Sequence, residues 1–391
     1  MVEVLGACHR VSDQVDFDLH GLIGVRLINP SRHEVDMVTR QLGPLQHPLS
    51  REPDILIRFE SHLPTDGLRY VGLHNNGFTD DGFFILRSKK APATVRIAFE
   101  QIGGQCEIVC QRGLHAVPLL LAIVNLTVLK KDCVPLHASA FVHQGHGIVV
   151  TGWAKGGKTE SLLSFALQGA EYIGDEWIWL QGNGDMMYGV PENIRLWDWH
   201  LHYLPHIRRQ MKREERWLFN SIQWLDSMQR RLAQGKIGRL APVKFWRKAM
   251  PALRRQLNVT RPPEHIFGRS LGRLSATPEK IFLLMNHDSN DIHISRIEPS
   301  EIVQRMIASI EYEQLPFMEH YMAFKFAFPE RCNSFIEQAS SYQSDILKRA
   351  LTGKDAYVVY HPYPVNFQDL YKAMQPYCEE RNTEQILRDS L

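Results

Sequence analysis

The sequence lacks an apolar segment long enough to cross a membrane. Its longest apolar run spans residues 116–129 and is interrupted by Pro118 and Asn125, whereas a transmembrane helix needs about 20 consecutive apolar residues. We therefore expect a buried helix at this run. Residues 1–13 also lack the basic, apolar and small-residue order of a signal peptide. We expect a cytoplasmic protein with no membrane span.

Cysteine is sparse as well. The chain has 6 cysteines among 391 residues, and only Cys106 and Cys110 lie close together. That pair falls in a strand-like stretch, Cys-Glu-Ile-Val-Cys, and no second close pair completes a zinc site. We expect all the cysteines to be reduced thiols.

Neither sign of charge dominates the whole chain, whose formal net charge is +2. With 44% hydrophobic and 23% charged residues, the composition is that of a globular protein and argues against disorder. The charge is unevenly spread, because residues 208–255 carry 14 Lys and Arg against three acids, a net +11, and the rest sums to −9. Aromatic residues such as Trp217, Trp224 and Trp246 interleave with these bases. We expect a helical basic insertion over 200–265, and within it the segment 208–255 acts as a lid or docking surface for an anionic group.

A glycine-rich loop is the strongest chemical signal that the chain contains. An apolar run at 148–150 leads into Gly152-x-x-x-x-Gly157-Lys158-Thr159, and an apolar pattern of helical spacing follows. Strand, glycine loop and helix in this order are the context of a P-loop. Glycines leave backbone N–H groups free to surround phosphates, and the N-terminus of the helix adds partial positive charge.

The loop predicts a nucleotide site with a magnesium ion. Lys158 would reach the β- and γ-phosphates, and the Thr159 hydroxyl would hold Mg²⁺. The residues expected to contact the nucleotide form the loop and the start of its helix: Gly152, Trp153, Ala154, Lys155, Gly156, Gly157, Lys158, Thr159 and Glu160.

Two acids follow the predicted loop helix, at Asp175 and Glu176. A carboxylate at this place can hold Mg²⁺ or take a proton from an attacking hydroxyl. His137 is expected on the strand that pairs with the strand before the loop, because residues 144–147 predict a turn. The candidate catalytic residues are therefore His137, Lys158, Asp175 and Glu176, and the candidate metal ligands are Thr159 and Asp175.

The chain divides into three predicted regions. Short strand-like runs separated by turns predict a small β-rich N-terminal domain over 1–115. A P-loop core with the basic insertion follows over 116–315, and a C-terminal α/β extension covers 316–391. Within the core, strand-like runs at 280–285 and 292–295 predict a hairpin.

Three stretches of the chain follow the pattern of one family. They are Leu-His137-Ala-Ser-Ala before the loop, the loop itself, and Gly-Ala-Glu-Tyr-Ile-Gly-Asp175-Glu176 after it. This set resembles the HPr kinase/phosphorylase family, and Pro191 to Trp197 is similar to the Pro-x-x-x-Arg-Leu-Trp stretch of its peptide-modifying relatives. The resemblance covers 116–200 and, more loosely, 278–312.

The resemblance implies a mixed α/β fold related to that of phosphoenolpyruvate carboxykinase, with ATP and Mg²⁺ as cofactors. In the family an acidic pair, usually Asp-Asp, supplies the metal ligand and the base, and the resemblance assigns these roles jointly to Asp175 and Glu176. It adds Arg195 as a nucleotide contact. The chain departs from the family at Glu176, and in the loop Trp153 and Lys155 replace small residues. Some members of the family phosphorylate a serine on a carrier protein. The half of those enzymes that binds the carrier protein has no counterpart in this sequence, so the carrier protein is not an expected substrate.

These features together predict a phosphotransferase that moves the γ-phosphoryl group of ATP to a hydroxyl. The acceptor is a serine of a peptide or protein, or a sugar or other metabolite. An alternative is a nucleotide-binding switch or assembly factor of a biosynthetic cluster, with weak or no transfer. A third hypothesis, nucleic-acid binding by the basic segment, is not favoured, because such helices are usually solvated faces or lids over phosphates. The oligomeric state stays open, with a homo-oligomer among the alternatives.

Overall fold

The computed structural model describes residues 12–72, 74–88, 91–233, 257–268 and 271–379. In this part of the chain helices and mixed sheets combine, which confirms the predicted α/β class. No helix among the same residues has both the length and the apolar character needed to cross a membrane. The chain divides into two compact units, Met1–Glu192 with Gly272–Leu391, and Asn193–Leu271.

The first sheet of the larger unit has eight strands in the described residues, in the order β1-β2-β3-β8-β7-β6-β5-β4. β2, β3 and β8 are parallel neighbours, and the other pairs are antiparallel. The strands are β1 Gln14–Leu19, β2 Ile23–Ile28, β3 Ile55–Glu60, β4 Arg69–Val71, β5 Asn76–Phe78, β6 Phe83–Ser88, β7 Ala91–Ile97 and β8 Cys106–Gln111.

Helix α1, Arg32–Leu42, crosses from β2 to its parallel neighbour β3 and was missed in the sequence. Ser31 and Glu34 form a capping box at its start, in which each side chain bonds the backbone of the other residue. Glu34 is buried and pairs with Arg112 at 2.6 Å. Local signals for this helix are present in the sequence, since Val35, Val38 and Leu42 recur at helical spacing after the capping box.

The second sheet carries the glycine loop and has nine strands in the described residues. Its order is β16-β13-β12-β9-β10-β17-β19-β18, with β11 also paired to β9. The strands are β9 Cys133–His143, β10 His146–Gly152, β11 Glu171–Gly174, β12 Trp177–Gln181, β13 Met187–Gly189, β16 Ser275–Ala276, β17 Pro278–Asn286, β18 His293–Arg296 and β19 Asp355–His361. The predicted β9–β10 hairpin is confirmed, and β12 and β13 form a second antiparallel pair.

The hairpin predicted at 280–285 and 292–295 is wrong. Both segments are strands, but β19 lies between them and pairs with β17 in parallel and with β18 in antiparallel. β19 is almost entirely apolar and buried, so it needs a hydrogen-bonded neighbour on each side. A partner 60 residues away along the chain leaves no local sequence signal.

Helices cover both faces of the second sheet. Ser139 and Phe141 of β9 contact the loop helix, since the Ser139 hydroxyl donates to the Lys158 carbonyl at 2.9 Å and Phe141 stacks on Phe165. On the other face, the Thr151 hydroxyl lies 3.2 Å from the Met306 sulfur. The helices of this unit are α2 Leu120–Val128, α3 Lys158–Ala166, α7 Pro299–Ala327, α8 Ser334–Glu337, α9 Ala339–Leu351 and α10 Phe367–Glu379. A buried helix within 116–129 is thereby confirmed.

The smaller unit corrects part of the predicted helical insertion. Its described helices are α4 Pro205–Gln210, α5 Arg213–Ala233 and α6 Glu264–Phe267. Asn258–Arg261 is instead a strand, β15, antiparallel to β14 at Ile194–Trp197. Arg261 on β15 pairs with Glu215 of α5 at 2.6 Å. The predicted lid covers 208–255. Its part from residue 234 onward, which includes Trp246, lies outside the described residues.

The three predicted regions stay a prediction, and two observations bear on their packing. Residues of the first sheet and of the second sheet belong to the same compact unit and share one buried apolar cluster.

The cysteines in the described part of the chain, at 106, 110, 133, 332 and 378, are all free thiols.

Asn333 ties the helical end of the larger unit to the first sheet. Its Nδ2 donates to the carbonyls of Phe99 and Ile102, each at 2.9 Å, on the segment that links β7 to β8. Its Oδ1 accepts the backbone N–H of Phe335 at 3.0 Å and so caps α8. The side chain is buried, so each lost bond would leave a polar group away from water.

Replacing Asn333 by Ala should lower the free energy of unfolding by about 2–4 kcal/mol, because several buried groups lose their partner at once. Asn366→Ala is the matched control, since its Oδ1 also accepts a backbone N–H at 2.9 Å but the residue is exposed. We expect that loss to be about 1 kcal/mol. Urea unfolding of both variants measures the two values, and equal losses would contradict the anchoring role of Asn333.

Candidate active site

The glycine loop leaves the sheet at the end of a central strand. β10 pairs with β9 on one side and with β17 on the other, and Ile148 to Val150 are fully buried. An apolar strand with neighbours on both sides is held at a fixed depth and direction. The loop therefore starts from a rigid position, and α3 begins directly behind it at Lys158.

Two glycines of the loop cannot carry a side chain. Gly157, the N-cap of α3, has φ of 101°, and a Cβ there would meet the His361 ring at 2.6 Å. At Gly152 a Cβ would approach the Leu284 carbonyl oxygen to 2.8 Å. His361 also fixes the loop from the other side, since its Nε2 lies 2.9 Å from the Gly156 carbonyl oxygen. Both glycines are thus needed for the close approach of the loop to its neighbours.

Lys158 lies inside the loop rather than in solvent. Its Nζ donates to the carbonyls of Gly152 at 3.2 Å and Trp153 at 2.9 Å, and the residue is buried. Burial lowers the pKa of Lys158, and the nearby carboxylates of Glu176 and Asp175 partly oppose this. The cation therefore holds the two ends of the loop together and lies near the acids.

Asp175 meets the first turn of α3. The Thr159 hydroxyl donates to Asp175 Oδ2 at 3.0 Å, and the carboxylate is almost fully buried. Burial raises the pKa of Asp175 to about 7, the charge of Glu176 adds to the rise, and the Thr159 hydrogen bond and Lys158 oppose it. A further cation beside this carboxylate would favour its charged form.

Glu176 is held in an unusual backbone conformation. Its φ is 73°, in the left-handed region that non-glycine residues rarely adopt. Its carbonyl accepts the N–H of Ala138 at 3.2 Å, and the next residue, Trp177, donates back to the Asp175 carbonyl at 3.0 Å. The tight turn directs the two acids apart, so that Asp175 is buried while the Glu176 side chain is 53% exposed. Strain of this kind concentrates at functional sites.

His137 connects Glu176 to a third acid. Its Nε2 lies 3.0 Å from Glu176 Oε2, and its Nδ1 lies 3.1 Å from Glu313 Oε1. The second contact has ion-pair distance, but its orientation is not that of an aligned hydrogen bond. Burial by itself lowers the pKa of His137, yet the two carboxylates outweigh it and the net shift is upward. The imidazolium form is therefore favoured between the two acids.

The other residues predicted to contact the nucleotide differ in their exposure and in their partners. Trp153 is 51% exposed and packs on Tyr312, with ring centroids 4.9 Å apart. Lys155 is exposed, has φ of 61°, and its carbonyl accepts from Asn286 at 3.2 Å. Glu160 is buried and accepts the Tyr363 hydroxyl at 3.2 Å, so its carboxylate is engaged behind the loop.

Arg195 belongs to the smaller unit. It is exposed on β14 and pairs across the strands with Thr260. Its role as a nucleotide contact stays a prediction.

Several site residues were missed in the sequence: Asn286, Glu313, Tyr312 and His361. Glu313 lies in the middle of α7, where nothing local distinguishes it from other helical acids. Asn286 and His361 end the parallel strands β17 and β19, and strand ends next to a glycine loop are the one signal that could have identified them.

A scan of family models and a search of curated proteins found nothing that matches this chain.

The raised pKa of His137 gives a test of the three-residue cluster His137–Glu176–Glu313. In Glu313→Gln the pKa of His137 should fall toward its ordinary value, because one of its two carboxylates is lost. An NMR titration of the ring, assigned with His137→Gln, measures this. Glu319→Gln, an exposed acid of the same helix, serves as the control and should leave the titration of His137 unchanged.

The raised pKa of His137 also determines at which pH Glu313→Gln loses stability. The pKa of His137 is higher in the folded protein than in the unfolded chain, where it is near 6.5. Its ion pairs therefore stabilise the fold fully below pH 6.5, and this stabilisation is lost as the pH rises through the pKa of the folded protein. The loss of stability in Glu313→Gln should therefore reach up to about 1 kcal/mol near pH 6 and fade at pH 9. A loss that grows with pH would contradict the ion pair.

Proposed function

We propose that the protein is an ATP-dependent phosphotransferase that moves the γ-phosphoryl group to a hydroxyl acceptor. One observation supports this most. Lys158, the Thr159–Asp175 pair and the His137–Glu176 pair meet where β10 ends, beside the middle of β9. A phosphate-binding loop, a metal-binding pair and a base are the parts that phosphoryl transfer requires.

The loop supplies the phosphate contacts. With Gly157 in a left-handed conformation, the loop turns directly into α3, whose N-terminal N–H groups lack intrahelical partners. Such groups and the helix dipole attract anions. Lys158 already donates to two loop carbonyls, and a phosphate oxygen offers its ammonium group a stronger, charged acceptor.

Thr159 and Asp175 fit a magnesium ion. Mg²⁺ prefers oxygen ligands and usually takes one or two carboxylates together with phosphate oxygens and water. Within the described residues no group of three or more His, Cys, Asp or Glu side chains could hold a metal by itself, so an ion here needs the nucleotide as well. When bound, Mg²⁺ would neutralise charge on the β- and γ-phosphates.

Glu176 is the base in this proposal. Its carboxylate is partly exposed and therefore accessible to an acceptor, whereas Asp175 is buried against Thr159. His137 holds Glu176 Oε2 at 3.0 Å, and Glu313 supports His137 from the other side. Glu176 would take the proton of the acceptor hydroxyl as the oxygen attacks phosphorus. The bond to His137 restricts a side chain that is longer than the family's usual Asp.

The acceptor is a hydroxyl of a peptide serine or of a small molecule, as the family resemblance implies. Transfer of this kind depends mainly on positioning and charge stabilisation, and the protein side chains take part in little covalent chemistry. The arrangement of Lys158, Asp175 and Glu176 around one strand end satisfies both needs.

Lys158→Met should weaken the binding of Mg·ATP by about 10- to 100-fold, since hydrogen bonds between charged groups contribute about 1.5–3 kcal/mol. Calorimetric titration measures the affinity, and the thermal midpoint checks that the buried site is still folded. Lys348→Met, an exposed lysine on α9, is the control. Unchanged ATP affinity in folded Lys158→Met would refute the phosphate-binding role of the loop.

Asp175→Asn and Glu176→Gln should separate metal binding from proton transfer. Asp175→Asn should need about tenfold more Mg²⁺, because a carboxylate ligand is lost. Glu176→Gln should bind Mg·ATP normally but turn it over about 10²- to 10⁴-fold more slowly. The measurement is ADP formation with water as the acceptor, and wild-type rates in both variants would favour the nucleotide switch instead.

The pH dependence of magnesium binding tests the same assignment. A metal needs the charged carboxylate, and the pKa of Asp175 is raised to about 7. Affinity for Mg·ATP should therefore rise with pH up to about 7 and then level off. Asp175→Asn should lack this rise, whereas Glu176→Gln should keep it.

A further inference from the structure

A cavity of about 420 Å³ opens beside the glycine loop. The loop forms one wall, the end of β17 forms the second, and the first turns of α7 form the third. Residues of these three walls are Trp153, Ala154, Leu284, Met285, Arg305 and Met306. Small-molecule sites typically have volumes of this order and are mostly apolar with few polar groups.

The walls suit a flat, apolar ring. Leu284 and Met306 are buried and form an apolar floor, and Trp153 presents a half-exposed indole at the entrance. Tyr312 packs on that indole with an interplanar angle of 36° and restricts its orientation. Arg305 is paired with Glu301 on its own helix at 2.6 Å, so its charge is already compensated. Aromatic and thioether groups of this kind bind the face of a heterocycle.

The position of the cavity along the sheet indicates which part of a nucleotide it would take. β10, which carries the loop, lies between β9 and β17. The acids Asp175 and Glu176 lie on the β9 side, between β11 and β12, and the cavity lies on the β17 side. A nucleotide whose γ-phosphate faces the acids therefore extends its other end toward β17.

We propose that this cavity binds the purine base of the nucleotide and that Trp153 stacks on the base. The inference rests on the proposed function, because it takes the γ-phosphate to face Asp175 and Glu176. The acceptor fits the cavity less well, since its hydroxyl must reach Glu176 on the far side of the loop. The bulky ring at position 153, unusual for such a loop, thereby gains a binding role.

Calorimetric titration with two probes tests the proposal. ATP and inorganic tripolyphosphate, each with Mg²⁺, share the phosphates, and only ATP carries the base. Trp153→Ala removes the stacking wall, and Ala308→Phe fills the cavity from an exposed position of α7. Leu315→Ala, on the same helix and 57% exposed outside the cavity, is the control.

In both cavity variants ATP should bind at least about fivefold more weakly, as expected for the loss of one base–aromatic stack. Tripolyphosphate should bind within about twofold of the wild-type affinity, and Leu315→Ala should change neither. Equal weakening of both probes would overturn the inference, because Trp153 would then act through the shape of the loop.

Two further outcomes would also overturn it. Unchanged ATP affinity in both variants would leave the phosphate-binding loop intact and assign the cavity to the acceptor. Failure of the wild-type protein to bind either probe would remove the proposed function itself, and the base pocket with it. The wild-type titration with tripolyphosphate thus distinguishes the two failures.

Discussion

The candidate site depends on one strand, β9, and on the neighbours that pair with it. It is antiparallel to β10, which leads into the glycine loop, and to β11 and β12, which flank the acidic turn. His137 lies on β9 directly opposite Trp177, the residue after Glu176. Because β9 is buried along nearly its whole length, these registers are fixed by the core. A one-residue slip would place His137 on the other face of the sheet.

Around β9 several carboxylates surround a single buried ammonium group. The described site contains four carboxylates, at Glu160, Asp175, Glu176 and Glu313, beside the buried ammonium of Lys158, and burial opposes the charges of Asp175 and Lys158. Asp175 responds by a raised pKa, and His137 responds by favouring its cationic form between two acids. Such perturbed groups cluster where proteins bind ions or move protons. A cation beside Asp175 would favour its charged form, and the proposed binding of Mg·ATP would supply one.

The local part of this arrangement could be predicted from the sequence. The apolar run at 148–150, the spacing from Gly152 to Thr159 and the helical pattern after it are short-range signals, and the strand, loop and helix form as expected. The turn at 144–147 correctly placed His137 on the neighbouring strand. These predictions succeed because hairpins and strand–loop–helix units are set by turn residues and periodicity.

Long-range pairing could not be predicted in the same way. β19 separates β17 from β18 although residues 297–354 lie between β18 and β19. In the same way, β15 completes a pair with β14 across the basic segment. Glu313 reaches His137 only because α7 packs on β9. Sequence periodicity contains no information on which helix covers which strand.

Sequence by itself therefore determined the glycine loop, its flanking strand and helix, and the acids that follow, because each of these is a local pattern. Only the tertiary structure decided that Asp175 is buried against Thr159, whereas the Glu176 side chain is partly exposed and contacts His137. It also decided that an apolar cavity opens on the β17 side of the loop. The physical reason is that burial, pKa and the distances between side chains depend on strands and helices brought together by the shared core, across separations that local residue preferences do not encode.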